Sequence, residues 1–242
     1  MDRREFLFQS TGAALGSFAV PGLAAASAAP ASPAPAGADA PTRSALRTGS
    51  PVPLRHRELP GFLSAAQLAP HHEAHYGGAL QAFVSAEERL EAGWSAGAAT
   101  DPAAWATLKH LQSSRGNSVL LHELYFAGMT PGGGAAPPAL RGAIERRFGS
   151  LERWMADFAA SAKLAAGWAM LVVHPVNGRL YNVVSDEHAQ GPMWLSAPLV
   201  VIDSYEHAFY IDYQNRKAAY VERFLEFIDW PLAERRYAEA LA

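Results

Sequence analysis

The stretch VVIDSYEHAFYIDYQNR, residues 200–216, decides how the chain is read. Its β-branched run Val200, Val201 and Ile202 favours a strand, and the run stops at Asp203. His207 follows one helical turn later. A carboxylate at a strand end and an imidazole one turn on can face the same point, as two ligands of a metal ion would. The same pair also suits a plainer arrangement, with Asp203 capping the helix that follows and His207 satisfied among core aromatics.

Upstream of this stretch the pattern predicts strands at Trp168–Val173 and Leu180–Val184, joined by the turn dipeptide Asn177-Gly178, with Leu199–Asp203 as a third strand. The loop from Asp186 to Ala197 carries His188, Gln190 and Trp194. Helices are expected at Leu140–Phe148 and Leu151–Phe158, with Ser150 as an N-cap between them. Downstream, an amphipathic helix runs from about Lys217 to Phe227, and Trp230-Pro231 is read as its stop. The Gly/Pro stretch Thr130–Pro138 reads as a hinge between lobes.

Before that hinge, Ser64 followed by Gln67 is a capping-box pattern that starts a helix. Its next turns carry His71, His72 and His75, with His71 and His75 on one face, before Gly77-Gly78 loosens it. A second long helix is expected over Pro102–Met129, with a weak point at Arg115-Gly116-Asn117. His122 lies in its apolar part, where a desolvated imidazole needs a partner. The predicted fold class is therefore α+β: an N-terminal antiparallel helical hairpin (54–130) and a C-terminal lobe (139–242) with a small three-stranded antiparallel sheet and flanking helices.

The chain has 242 residues, half of them hydrophobic, enough for one sizeable core. A net charge of −3 gives no basis for binding nucleic acid or an anionic membrane. The absence of cysteine excludes disulfides, thiolate zinc sites and cysteine nucleophiles, so any metal must be held by nitrogen and oxygen. Arg3-Arg4 followed by Phe6-Leu7 resembles a twin-arginine export signal, with Asp2 where Ser or Thr is usual. The apolar segment after it is too short and too interrupted for stable membrane insertion. Residues 1–28 are expected to form this signal, with cleavage after Ala26 or Ala28 or retention as an N-terminal anchor, and the location to be periplasmic or otherwise exported. Residues 29–53, rich in Ala and Pro, read as a disordered linker.

Taken together, these motifs resemble the iron/manganese superoxide dismutase family. Asp203-Ser-Tyr-Glu-His207-Ala-Phe-Tyr210 with Gln-Asn-Arg216 is similar to its D-x-W-E-H-A-Y-Y…Q-N-R signature. His71-His-Glu-Ala-His75 resembles its first-helix motif, and His122-Glu-Leu-Tyr-Phe its second-helix ligand segment. Residues 143–150 and 167–172 resemble stretches of its second lobe. The resemblance implies that His71, His122, Asp203 and His207 hold one Fe or Mn ion per subunit, with solvent as a fifth ligand. It implies a homodimer, in which His75 and Tyr210 bond across the interface and Glu206 reaches the partner subunit's ligand histidine. Arg216 corresponds to a cation at the substrate entrance, and Trp168 to a wall of the metal pocket.

The departures are local. The usual entrance Tyr falls at Ala79, the Trp between the Asp and His ligands is Tyr205, and two further Trp positions are Phe126 and Met170. Ser118 stands where some members carry a Gln beside the metal-bound solvent, so Gln190 from the loop is the candidate, which leans the metal toward manganese. The implied activity is conversion of superoxide to oxygen and hydrogen peroxide. The alternative is an exported metal-binding protein of the same fold with little dismutase activity.

Overall fold

The computed structural model describes residues 44–96 and 101–242. The expected export signal, and the expected linker as far as residue 43, lie outside the described residues. The chain forms α1 (Ala45–Thr48), α2 (Ala65–Pro70), a π-helical turn (His71–Tyr76), α3 (Gly77–Ser95) and α4 (Pro102–Ala127). There follow α5 (Pro138–Phe148), α6 (Leu151–Leu164), β1 (Trp168–His174), β2 (Arg179–Ser185) and β3 (Ala197–Asp203). A 3-10 turn (Glu206–Ala208), α7 (Tyr210–Tyr213), α8 (Lys217–Phe224) and α9 (Trp230–Leu241) complete it. This is the α+β architecture expected from the sequence, with a sheet of order β2-β1-β3, antiparallel at both pairings.

The first helical rod departs from the α pattern where the histidines lie. Ser64 caps α2, its Oγ accepting from Gln67 N at 3.1 Å. Gln67 does not reach back to close a capping box. It is buried, donates from Nε2 to His207 O at 2.6 Å, and accepts at Oε1 from Ile211 N at 2.9 Å. A buried amide must satisfy both ends, and the backbone around His207 offers both partners. Pro70 ends α2, and the next turn is wound as π helix instead of being loosened at Gly77-Gly78. His71 is turned inward and His75 left exposed.

α3 and α4 form the predicted antiparallel pair. α4 is continuous through the expected weak point, where Gly116 faces α3: a Cβ there would sit 3.3 Å from the Phe83 ring. Asp101 caps α4, accepting from Ala103 N and Ala104 N, with Pro102 in its first turn. Among the described residues the core is one cluster running from Ala45 through Val119 and Trp168 to Ala233, not two lobes with separate cores. The Gly/Pro stretch is tied down: Thr130 N donates to Phe227 O at 2.8 Å, and Met129 bridges Ile228.

Two further expectations are corrected. Trp230-Pro231 opens α9 instead of ending a helix, because Pro is suited to a first turn and Asp229 supplies the cap, accepting from Leu232 N at 2.9 Å. Residues 44–53 are not a free linker. Ala45 is fully buried, and Val52 is hydrogen-bonded to the metal-side helices. No helix among the described residues is long and apolar enough to cross a membrane.

Candidate metal centre

β1 is apolar and buried from Trp168 to Val173 because α4, α6 and α9 cover the sheet it centres. Its first residue, Trp168, pairs with Asp203 across the ladder, so both side chains leave the same face at the same end. α4 packs against β3 and brings His122 to that end; the π turn brings His71, and the 3-10 turn brings His207. His71, His122 and Asp203 are buried and His207 is half-buried. Each offers one ligand atom, and the four atoms lie within 4.8 Å of one another.

The geometry converges on one carboxylate oxygen. Asp203 Oδ2 lies 3.1 Å from His71 Nε2, 3.1 Å from His207 Nε2 and 3.7 Å from His122 Nε2. Its other oxygen accepts from Tyr205 N at 3.0 Å, and its backbone carbonyl accepts from Tyr220 Oη at 2.8 Å. His122 Nδ1 donates to Ser118 O at 2.7 Å, which fixes the tautomer and leaves the Nε2 lone pair for the centre.

Electrostatics keep this set ready for a cation. Burial pulls the His122 imidazole down to about 3 and lowers that of His71, so both are neutral at pH 7. Burial alone would raise Asp203, but hydrogen bonds from His207 and His71 outweigh it and hold the carboxyl far below the usual carboxylate range. Three imidazoles and a carboxylate suit iron, manganese or zinc. The buried His122 Nε2 has no hydrogen-bond partner among the described residues, the orphan lone pair that a bound ion would satisfy.

Around the four ligands the sequence expectations divide. The Trp168 ring lies 5.1 Å from that of His122 and edge-on to it. Tyr205 stacks on His207 at 5.3 Å. Gln190 does not reach the centre: it is exposed, and its Oε1 turns back to accept from Asp186 N at 3.3 Å. His188 occupies that place. Its Nδ1 accepts from Trp168 Nε1 at 3.0 Å, its ring lies 6.4 Å from His122 and 5.3 Å from Tyr205, and Asn117 Nδ2 pins its carbonyl to α4 at 2.9 Å. His188 is the pocket residue that sequence reasoning did not select. The signal was a histidine two positions from the chosen Gln, in a loop whose register no periodicity fixes.

The remaining candidates form an open rim. His75 is exposed and stacks on His207 with ring centroids 3.9 Å apart. Glu206 and Tyr210 line an open depression of about 680 Å³ with Ala166 and Lys217. Arg216 is exposed, its guanidinium donating to Tyr213 O at 3.2 Å and Asp212 O at 3.3 Å. Ala79 is buried in α3, and Tyr76, three residues earlier, is turned to the far side of His122.

Comparison with known proteins agrees with this arrangement. Residues 136–236 match the model for the C-terminal domain of iron/manganese superoxide dismutases. The chain is 36% identical over 194 residues to the manganese superoxide dismutase of Haloarcula marismortui, spanning 79% of this chain and 94% of that one. It is 37% identical over 186 residues to the iron superoxide dismutase of Cupriavidus metallidurans, spanning 74% and 90% of the two chains. To the iron enzyme of Aquifex pyrophilus it is 34% identical over 192 residues.

Proposed function

Since the chain belongs to the iron/manganese superoxide dismutase family, we propose that it converts superoxide to oxygen and hydrogen peroxide at one Fe or Mn ion held by His71, His122, Asp203 and His207. The observation that carries this reading is the convergence of three imidazole nitrogens on one ionised carboxylate oxygen in a buried pocket. Bound there, the ion supplies a one-electron couple that takes an electron from one superoxide and returns it to a second.

The chain's own residues set the conditions for that chemistry. Asp203 cancels one charge of a trivalent ion and the neutral histidines cancel none, so the pocket stays attractive to an anion. Tyr205 N and Tyr220 Oη hold Asp203, and Ser118 O holds His122, so the ligands need little reorganisation. Trp168 and Phe126 wall the pocket against bulky reductants. His188, held by the Trp168 indole, is the polar group placed to hydrogen-bond solvent beside the ion. That group comes from the loop and not from α4, and its loop origin supports manganese over iron.

The same reading includes a homodimer and an exported location. The dimer is supported by three exposed side chains, His75, Glu206 and Tyr210, around the half-buried ligand His207. Export is supported by the paired arginines near the start of the sequence. The test is to purify the protein after native export, measure bound Fe and Mn, and follow superoxide loss before and after His122→Ala. Rapid loss that vanishes with the metal in the variant is expected. Dismutation that persists without His122 would overturn the assignment. A fully metallated but inactive protein would leave a metal-binding protein of this fold, the reading that Ala79 favours.

A further inference from the structure

The segment before the first long helix makes contacts that the chemistry of the centre does not account for. Ser44 Oγ caps α1, accepting from Leu46 N at 3.3 Å, and Ala45 is fully buried. Ala45 N donates to Glu123 Oε1 at 2.8 Å, across 78 positions of sequence. The same oxygen accepts from Tyr76 Oη at 3.0 Å. Tyr76 Oη in turn accepts from Val52 N at 2.9 Å, and Val52 O accepts from His72 Nε2 at 2.8 Å. Arg55, just beyond, is paired with Asp229, the cap of α9.

The positions of the anchors matter more than their number. His72 follows His71 directly, Tyr76 ends the π turn that carries His71, and Glu123 follows His122 directly. The segment therefore crosses both helices at the residues next to two of the four ligands. His71 has particular need of such support. A metal-bound histidine ordinarily donates its second ring N–H to a fixed partner, as His122 does to Ser118 O. His71 Nδ1 is buried with no partner among the described residues. No hydrogen bond among the described residues fixes that ring from behind, so beyond its packing against Phe126 and Tyr125 its place depends on the backbone of the π turn and on what braces it. A π turn is a single local winding between α2 and α3, and a brace across it selects that winding against the α alternative.

We propose that residues 44–55 are a strap that locks the π turn to α4, and that Tyr76 and Glu123 are the positioning residues through which it keeps His71 and His122 in place around a bound ion. The strap is built largely from backbone groups, so its Ala- and Pro-rich composition does not prevent it. Its consequence is metal retention, which matters most for a chain that must keep its ion outside the compartment where it was loaded. The inference rests on the four-ligand site of the proposed function, but not on the activity assigned to that site.

The test uses the full chain loaded with manganese and measures the rate of metal loss to excess chelator, with the unfolding midpoint of the metal-free protein in parallel. Tyr76→Phe removes the hydroxyl that joins Val52 to Glu123, and Glu123→Ala removes the shared acceptor. Each is expected to speed metal loss roughly 10- to 100-fold, the range for an outer partner of a metal ligand. Glu123→Gln keeps an acceptor oxygen and is expected to restore most of the retention. Asn182→Ala is the control: it removes bonds to Trp154 and Asp157 at the far side of the sheet, and should lower the midpoint without changing metal release. The proposal is overturned if Tyr76→Phe and Glu123→Ala lose metal no faster than Asn182→Ala at a matched loss of stability. A parent protein that holds manganese but does not dismutate superoxide would remove the activity and leave the strap to be judged on release rates. Manganese held equally well after His122→Ala would remove the site and the strap together.

Discussion

The metal centre and the rim around it were built under opposite constraints. The centre draws its ligands from four elements, buries three of them, and gives both Asp203 oxygens and its carbonyl a partner within the chain. The rim consists of His75, Glu206, Tyr210 and Arg216, all exposed, and of Ala79 where a tyrosine is expected. A buried polar cluster is costly to leave open, since each unmet group costs about 1–3 kcal/mol, and of the centre's buried atoms His71 Nδ1 and His122 Nε2 lack a hydrogen-bond partner among the described residues. An exposed rim pays no such penalty, so it can be completed by solvent, by a partner chain, or not at all. The centre is therefore the conservative part of this molecule and the rim its adjustable part.

The sharpest way to break that contrast is at its centre. Asp203→Asn keeps size and shape but removes the charge on which the three imidazoles converge. Loss of metal affinity should exceed the roughly 100-fold upper range of an outer partner, and dismutation should disappear with it. Metal analysis after dialysis would show this directly. A variant that kept full occupancy would mean that the carboxylate is not a ligand.

Acid should find the centre before the rim. The His122 imidazole titrates near 3 in the folded protein and that of His71 is also lowered, against about 6.5 in an unfolded chain. Between those values the unfolded state binds more protons, so stability falls as pH falls. Below the ordinary carboxylate range the depressed Asp203 adds loss in the same direction. For the metal-free protein the expected slope is about 1.4 kcal/mol per pH unit for each such imidazole. Thermal unfolding at pH 7 and pH 5 measures it. A flat midpoint would show that these histidines are solvated in the absence of metal. His122→Gln should remove part of the slope, and His75→Gln should change it less, because His75 is exposed.

His188 and Gln190 sharpen the comparison one layer further out. His188→Ala removes the group beside Trp168 and His122, and should lower activity roughly 10- to 100-fold at unchanged metal content. Gln190→Ala should remain within about twofold of the parent, since its side chain bonds only its own loop. Equal effects from the two would return the role to Gln190.

These cases also show what was legible in the sequence. The ligand set itself came from the resemblance to the iron/manganese superoxide dismutase motifs; the residue pattern alone marked Asp203 at the end of a β-branched strand with His207 one turn beyond it, His71 and His75 on one helical face, and His122 in an apolar helix segment, each with a plainer reading beside it. Where periodicity stopped, so did the reading. The π turn cannot be told from an α turn by side-chain pattern, since its distinction lies in which backbone carbonyl each N–H meets. Trp230-Pro231 suits the end of one helix and the start of another equally well, and only the Asp229 cap resolves it. The choice between His188 and Gln190 fell inside a loop with no repeat. The strap was hidden for a different reason. Composition predicts whether side chains can form a core, but Val52 is held through its N–H and C=O, which every residue except proline possesses.

The smallest expected effect lies at Arg216, on the exposed rim. Its guanidinium is exposed and donates to the carbonyls of Tyr213 and Asp212, with no carboxylate partner among the described residues. Such a charge acts through the field it adds over the entrance, and that field is screened within about 8 Å at physiological ionic strength. Arg216→Gln should lower kcat/KM several-fold at low salt and progressively less as salt is added, with metal content and unfolding midpoint unchanged. A loss that persisted undiminished at high salt would mean that Arg216 touches the bound anion, and would move it from the rim into the centre. A loss accompanied by release of metal would show that the α7 segment it caps supports the neighbouring ligand His207. A variant indistinguishable from the parent at every ionic strength would leave the bound ion's own charge, of which Asp203 cancels one unit, as the source of attraction.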